Sequence, residues 1–291
     1  MADPIASSLD CVVIAGAGHA GTQLAICLRQ EGYDGRLLIG LEFAATALSA
    51  GVSVDVIDVA DRPMARAVSQ PTSAAFEKSF VQAGAQFHFG SNVERLMGER
   101  GAVVGVQLND GRSIQADLVV YGIGVVPRTG LAASAGLSVG GGIRVDEALR
   151  TSDPAIYAIG DAAEFPFDEG HCRLESVQNA TDQARCVAAA LMGRPAPYSA
   201  VPWFWSNQLL RLQIAGLARG CDQYVTIGPD LSQQFSVLCF RRDELVAVES
   251  VGRPADHIAA RKILAGTRRP TPLDARRPGF EFKSWAAGMP A

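Results

Sequence analysis

GRLLIGLEFAATALSAGVSVDVID (residues 35–58) opens like the second strand of a nucleotide-binding unit and then runs straight into a helix. Gly40 alone stands where a loop should be, and Leu41 to Ala50 has the Ala/Leu content of a helix. Gly51 is a natural cap at its end, because glycine takes a left-handed conformation without a Cβ penalty. VSVDVID then reads as a parallel strand ending on Asp58. An acid at the tip of the second strand of such a unit bonds the ribose hydroxyls of NAD and repels the extra phosphate of NADP. A solvated aspartate at a strand end fits the same letters, and the diphosphate loop that should precede the helix is missing.

Upstream, CVVIA (11–15) is a short β-branched run followed by Gly16-Ala17-Gly18-His19-Ala20-Gly21 and an Ala/Leu-rich helical stretch ending near Tyr33. Strand, then G-x-G-x-x-G, then helix is the context that a dinucleotide site requires. Gly16 permits the tight turn, Gly18 lets the backbone approach a pyrophosphate, and Gly21 allows close packing of helix on strand. A tight turn without a ligand is the bland alternative. His19 reads as a helix-start residue, not as a catalytic base.

Downstream, residues 84–124 read as a run of short strands, with the turn signal Asn109-Asp110-Gly111 between two apolar stretches. DLVVYGIG (117–124) ends in Gly122 and Gly124, which suit either a close pass by a ligand or the turn alone. In TSDPAIYAIGDAAEFP (151–166), Ala155 to Ile159 is predicted as a strand that delivers Gly160 and Asp161 to its carboxyl end, where open α/β sheets bind ligands.

Length and composition bound these readings. The chain has 291 residues, enough for about two domains, and its 48% hydrophobic and 19% charged content is that of a globular protein. No apolar run approaches the ~20 residues needed to span a bilayer, and the N-terminus lacks the pattern of a signal peptide, so a cytoplasmic location without membrane contact is expected. The six cysteines show no C-x-x-C or closer grouping, which argues against a metal site, a disulfide framework and a thiol relay. Residues 201–291 carry 12 basic and 8 acidic side chains, against 14 and 22 in residues 1–200. Such a split marks either a docking face for an acidic partner or a solvated surface; nothing in it points to nucleic acid.

The combination of motifs resembles the FAD-dependent pyridine nucleotide oxidoreductases. GAGHAG is similar to their first FAD motif, and AIYAIGDAAEFP to the second. RLESVQNATDQARCVAAALMG (173–193), PWFWSNQ (202–208) and FSVLCFRRDELVAVESVGRP (235–254) narrow the resemblance to ferredoxin reductases of the putidaredoxin and rhodocoxin reductase type. It implies a Rossmann-like α/β fold binding FAD and NAD(P), with a C-terminal α+β reductase domain. It also implies that Gly16 to Gly21 hold the FAD diphosphate, Gly160 and Asp161 its ribityl and phosphate side, and that Val177 and Trp205 pack about the isoalloxazine ring. Asp58 and Gly122 fall to NADH, and Glu42 matches a glutamate beside the nicotinamide in relatives. Without the family, Trp203, Phe204 and Trp205 would be simple core packing.

Here the sequence departs from the family. Relatives place an acidic residue, a flavin-contacting segment, a further strand and a second glycine loop between two Ile-Gly pairs, whereas one Ile39-Gly40 serves both places here. The pattern implies an internal deletion of roughly a hundred residues, about a domain's worth. The implied organisation is a first part of the FAD domain (1–40), the rest of an NAD domain (41–125), a second FAD part (126–197) and the C-terminal domain (198–291). A rescue is predicted in which Arg36 to Ile39 is the shared strand of two βαβ units, 11–39 and 36–58, in one merged sheet, a fold expected to keep FAD better than NADH.

The implied activity passes electrons from NADH through FAD to a small [2Fe-2S] ferredoxin, with no catalytic side chain demanded because the cofactor carries the chemistry. Arg211, Arg219, Arg241 and Arg242 are candidates for meeting that acidic partner. Two alternatives stand beside it. One is a deletion remnant that binds flavin or a partner without NADH-dependent catalysis, or does not fold. The other is a reductase whose acceptor is oxygen or a quinone.

Overall fold

A computed structural model of the chain describes residues 11–15, 39–168 and 170–288. They form two compact units, residues 1–125 with 205–291 and residues 126–204.

The first unit is built on a parallel sheet of β1 (Cys11–Ala15), β2 (Ser53–Asp58), β3 (Gln86–Phe89) and β7 (Leu118–Tyr121), in the order β3-β2-β1-β7. β1 is central and uses both edges: Ile14 faces Val56 on one side and Val120 on the other. The intervening β4 (Val93–Glu99), β5 (Ala102–Leu108) and β6 (Ser113–Gln115) make an antiparallel sheet, whose β5–β6 turn at Gly111 takes φ +87°.

Two helices serve as crossovers. α1 (Ile39–Ser49) packs on β1 and β2, with Gly40, Leu41, Ala44, Ala45 and Ala47 buried. It starts two residues earlier than the sequence suggested, and Gly51 closes it at φ +79°. α2 (Gln70–Gln82) has no charge in its first or last turn and buries Thr72, Ser73, Phe76 and Phe80, the last meeting Phe87 of β3 edge-on at 6.1 Å.

The predicted shared strand at Arg36 to Ile39 is corrected here. Ile39 is the first residue of α1, residues 36–38 lie outside the described ones, and β1 pairs with β2 directly. β1 and β2 share one parallel sheet without an intervening strand. β1, expected in the FAD-binding part, lies between β2 and β7, where its two ladders satisfy backbone groups that would otherwise be buried and unpaired.

The same unit carries a five-stranded sheet of β11 (Trp203–Asn207), β12 (Arg211–Gly216), β13 (Gln223–Asp230), β14 (Gln234–Arg241) and β15 (Glu244–Val251), ordered β11-β12-β15-β14-β13. Phe235 to Phe240 and Ala247 to Val251 are buried almost without a break, so this sheet is covered on both faces at its centre. Helices Pro254–Ala265 and Phe282–Ala287 pack together, the first also against β12 and β15.

The second unit holds β8 (Ile143–Arg144), β9 (Ala163–Phe167), β10 (Gly170–Cys172) and the helix Val177–Leu191, around Val145, Leu149, Ala158, Ala163, Phe165 and Val187. Here the predicted strand Ala155 to Ile159 is overturned. Those residues hold one isolated antiparallel bridge, Arg150 to Tyr157, and no ladder. A strand needs a neighbour, and this segment forms no ladder with any described strand. Ile156 and Ile159 stay 39% and 40% exposed as a result.

Candidate functional site

The strand order β3-β2-β1-β7 is that of half a dinucleotide-binding fold. Its connections run outward from β1 through β2 to β3 and return to β7, so the crevice beyond the carboxyl ends of β1 and β7 is the switch point at which such sheets bind ligands. Ala15, Asp58 and Tyr121 end the three strands that form this edge. The glycines expected to hold a diphosphate, Gly16 to Gly21 with Ala17, His19 and Ala20, follow Ala15 directly in sequence and lie outside the described residues.

Asp58 is half-buried, and its Oδ1 accepts the Ala60 N–H at 2.9 Å. That bond fixes the carboxylate at the strand tip, as an acid must be fixed to select a ribose diol. Beyond β7, Gly122 is buried while Tyr121 and Ile123 on either side are 71% and 75% exposed, so an apolar pair flanks this edge of the sheet.

Glu42 lies in the first turn of α1 and is only 6% exposed. The Ser206 hydroxyl donates to its Oε1 at 2.6 Å, and Gln208 Nε2 donates in turn to Ser206 Oγ at 2.9 Å. A carboxylate this deep needs such donors, since an unmet one is costly. The chain resembled the family through PWFWSNQ because of its aromatic residues; the polar Ser206 and Gln208 inside the same stretch were missed. Trp205 is half-buried on β11.

A second buried acid ties the five-stranded sheet to the start of α2. Glu249 of β15 takes the Ser69 N–H on Oε1 at 2.7 Å and the Ser69 hydroxyl on Oε2 at 2.5 Å, and Ser69 is the residue that immediately precedes α2. A carboxylate at a helix N-terminus is favourably placed. Burial nevertheless pushes the Glu249 carboxyl up, against the opposing pull of the Ser69 donors. Beside it, the Cys239 thiol is held well above its ordinary range by its hydrogen bond with Cys221 and by burial. No charge pattern or spacing in the sequence signals either acid's partner.

The residues matched to FAD in the second unit are engaged locally. The Gly160 N–H donates to Gln183 Oε1 at 2.7 Å, and Asp161 Oδ1 accepts the Ser176 N–H at 3.2 Å. Ser176 caps the helix that Val177 begins, and Val177 is 43% exposed. Gln183 Nε2 is buried and has no acceptor among the described residues. Gly16 to Gly21, the other half of the flavin match, lie outside the described residues. No group of three or more His, Cys, Asp or Glu suited to a metal occurs among them, and none of their helices is long and apolar enough to cross a membrane.

The family model described as pyridine nucleotide-disulphide oxidoreductase matches residues 37–184, and a reductase C-terminal model matches 203–286. The chain belongs to the pyridine nucleotide-disulphide oxidoreductases. Among curated relatives, rhodocoxin reductase of Rhodococcus erythropolis is 48% identical over 248 residues, 84% of this chain and 58% of the relative. Putidaredoxin reductase of Pseudomonas putida is 38% identical over 250 residues, 82% and 59% of the two chains. The chain thus spans under two thirds of the length of these relatives. The crystal structure of the ferredoxin reductase for the CYP199A2 system from Rhodopseudomonas palustris matches with a TM-score of 0.86 and 43% identity, covering 97% of this chain and 66% of that one. The reductase in the covalent putidaredoxin reductase–putidaredoxin complex matches with a TM-score of 0.84 and 33% identity, covering 96% and 64%. The mixed α/β nucleotide-binding part and the C-terminal antiparallel sheet agree with the architecture expected from the sequence.

Proposed function

We propose that this chain is a pyridine-nucleotide-binding member of the ferredoxin reductase line, with its NADH site on the sheet β3-β2-β1-β7. One observation carries the reading: β1 stands between β2 and β7, so Asp58 ends the strand beside the one that leads into the glycine motif. Asp58 is assigned to the adenosine ribose of NADH, Gly16 to Gly21 to the diphosphate, and Gly122 to the turn where the cofactor passes β7. The buried Glu42, held by Ser206, is assigned to the nicotinamide end. The acid at the strand tip favours NADH over NADPH.

Titrating the purified chain with NADH and following nicotinamide fluorescence tests this. Saturable binding is expected, and Asp58→Ala should weaken it by about tenfold or more, because a hydrogen bond to a charged group contributes about 1.5–3 kcal/mol. Equal affinity in the variant, or no binding in the parent, would reject the site.

A second reading is the complete family reaction, electrons passing from NADH through FAD to a small [2Fe-2S] ferredoxin of an oxygenase system. It is favoured by the preserved C-terminal reductase region and its exposed basic side chains Arg211, Arg219 and Arg242. The visible spectrum of the purified protein separates the two. A flavin spectrum that bleaches on adding NADH without oxygen supports the complete reductase; a colourless chain that binds NADH supports the first reading.

A further inference from the structure

We infer that Cys221 and Cys239 form an oxidisable dithiol site, at which a peroxide converts the two thiols into a disulfide. Cys221 is the attacking sulfur, Cys239 the resolving one, and Glu249 the carboxylate that takes the Cys239 proton.

The sequence sets these cysteines far apart, and the ladder between β13 and β14 brings them together. Gln223 faces Phe240, and Tyr224 faces Cys239. Just ahead of β13, the Asp222 N–H donates to the Phe240 carbonyl at 3.0 Å, and the Arg242 N–H donates to Asp222 Oδ2 at 3.0 Å. The chain at Cys221 is thereby pinned against β14, where its thiol shares a hydrogen bond with that of Cys239. Both are free thiols. On its other side, Cys239 Sγ meets Glu249 Oε1 at 3.7 Å.

Access separates the roles. Cys221 is half-buried and Cys239 fully buried, so a small oxidant in solution reaches Cys221 first. The thiolate is the nucleophile, and its surroundings favour that form at Cys221. The hydrogen bond from Cys239 pulls the Cys221 thiol below its ordinary range, against burial and the Glu249 charge, and Arg241 adds to the pull. Cys186, also half-buried, instead bonds the Ala196 carbonyl at 3.5 Å and is pushed up by burial.

The Cys221 sulfur attacks one peroxide oxygen and the O–O bond breaks, leaving a sulfenic acid. The departing hydroxide takes up the proton that the Cys221 thiol lost and leaves as water. Cys239 sulfur then displaces the sulfenic hydroxyl as the S–S bond forms. The Cys239 proton passes to Glu249 and on to the departing hydroxide, which leaves as a second water. The thiol pair is oxidised by two electrons, and one peroxide is reduced. Burial raises the Glu249 carboxyl, which suits it to hold that proton in transit.

The test treats the full reduced chain with hydrogen peroxide, blocks the remaining thiols with N-ethylmaleimide and maps the peptides by mass spectrometry. The expected product is a peptide pair joined through Cys221 and Cys239, with two thiols lost per chain and both regained after dithiothreitol. Cys221→Ser should abolish the oxidation of Cys239. In Cys239→Ser, dimedone should capture a sulfenic acid at Cys221. Oxidation of Cys221 in the parent without a link to Cys239, a link from either to another cysteine, oxidation of Cys239 in Cys221→Ser at the parent rate, or no dimedone adduct in a folded Cys239→Ser would each overturn the inference. If Cys239→Ser does not fold, the linked peptide of the parent and the Cys221→Ser variant, at a loop position, decide it.

Discussion

At the scale of single residues, two buried carboxylates, Glu42 and Glu249, meet partners remote in sequence. Glu42 and Ser206 are 164 positions apart, yet the hydroxyl donates to the carboxylate at 2.6 Å. Removing that donor takes away a hydrogen bond to a buried carboxylate, a cost of about 1–3 kcal/mol. Ser206→Ala should therefore lower the midpoint of urea denaturation by that equivalent, while Ser206→Thr, which keeps the hydroxyl, loses less. Equal stability in the alanine variant would show that Glu42 is served by other groups. Glu42 itself was legible through the resemblance and Asp58 through its strand-end position. Ser206 and Ser69 were not, because a hydroxyl that meets an acid across the fold leaves no periodicity or spacing to read.

At the scale of elements, local pattern was a good guide wherever an element carries its own reasons. The Ala/Leu run of α1, the β-branched run of β2 and the turn at Gly111 all form close to where the letters place them. The strand at Ala155 to Ile159 did not form, although its composition is equally suitable, because a strand is completed by its neighbour and not by itself. The helix Pro254–Ala265 illustrates the electrostatic side of packing. It buries His257, whose pKa is lowered to about 4 by burial and by the charge of Arg261. The folded state then binds the proton less readily than the unfolded chain does. The stability contributed by the neutral ring is present above about pH 6.5 and is lost as the pH falls through about 4. Denaturation midpoints measured from pH 7 to pH 4 should decline, and His257→Gln should flatten that decline. A variant with the same slope as the parent would place the acid sensitivity elsewhere.

At the scale of the whole molecule, charge and length bear on what the chain does. The C-terminal 91 residues carry an excess of basic side chains, and among the four arginines named from the sequence Arg211, Arg219 and Arg242 are exposed while Arg241 is half-buried. If this surface meets an acidic [2Fe-2S] protein, association should slow as salt rises, because charges more than about 10 Å apart are largely screened near 0.1 M ionic strength. Arg219→Ala and Arg242→Ala should flatten that dependence in stopped-flow mixing with such a protein. An association rate indifferent to salt would remove the steering role of this face.

By itself the sequence determined the class of the protein and the identity of most of its local parts. Glycine spacing, β-branched runs and an acid at a strand tip each follow from the conformational limits of neighbouring residues, so they do not depend on distant parts of the chain. Only the tertiary structure decided which sheet takes Cys11 to Ala15. The run CVVIA suits either dinucleotide sheet, but β2 and β7 offer it a ladder on both edges, while Ala155 to Ile159 forms no ladder at all. Backbone hydrogen bonds must be met somewhere, and a strand can satisfy them in only one place at a time.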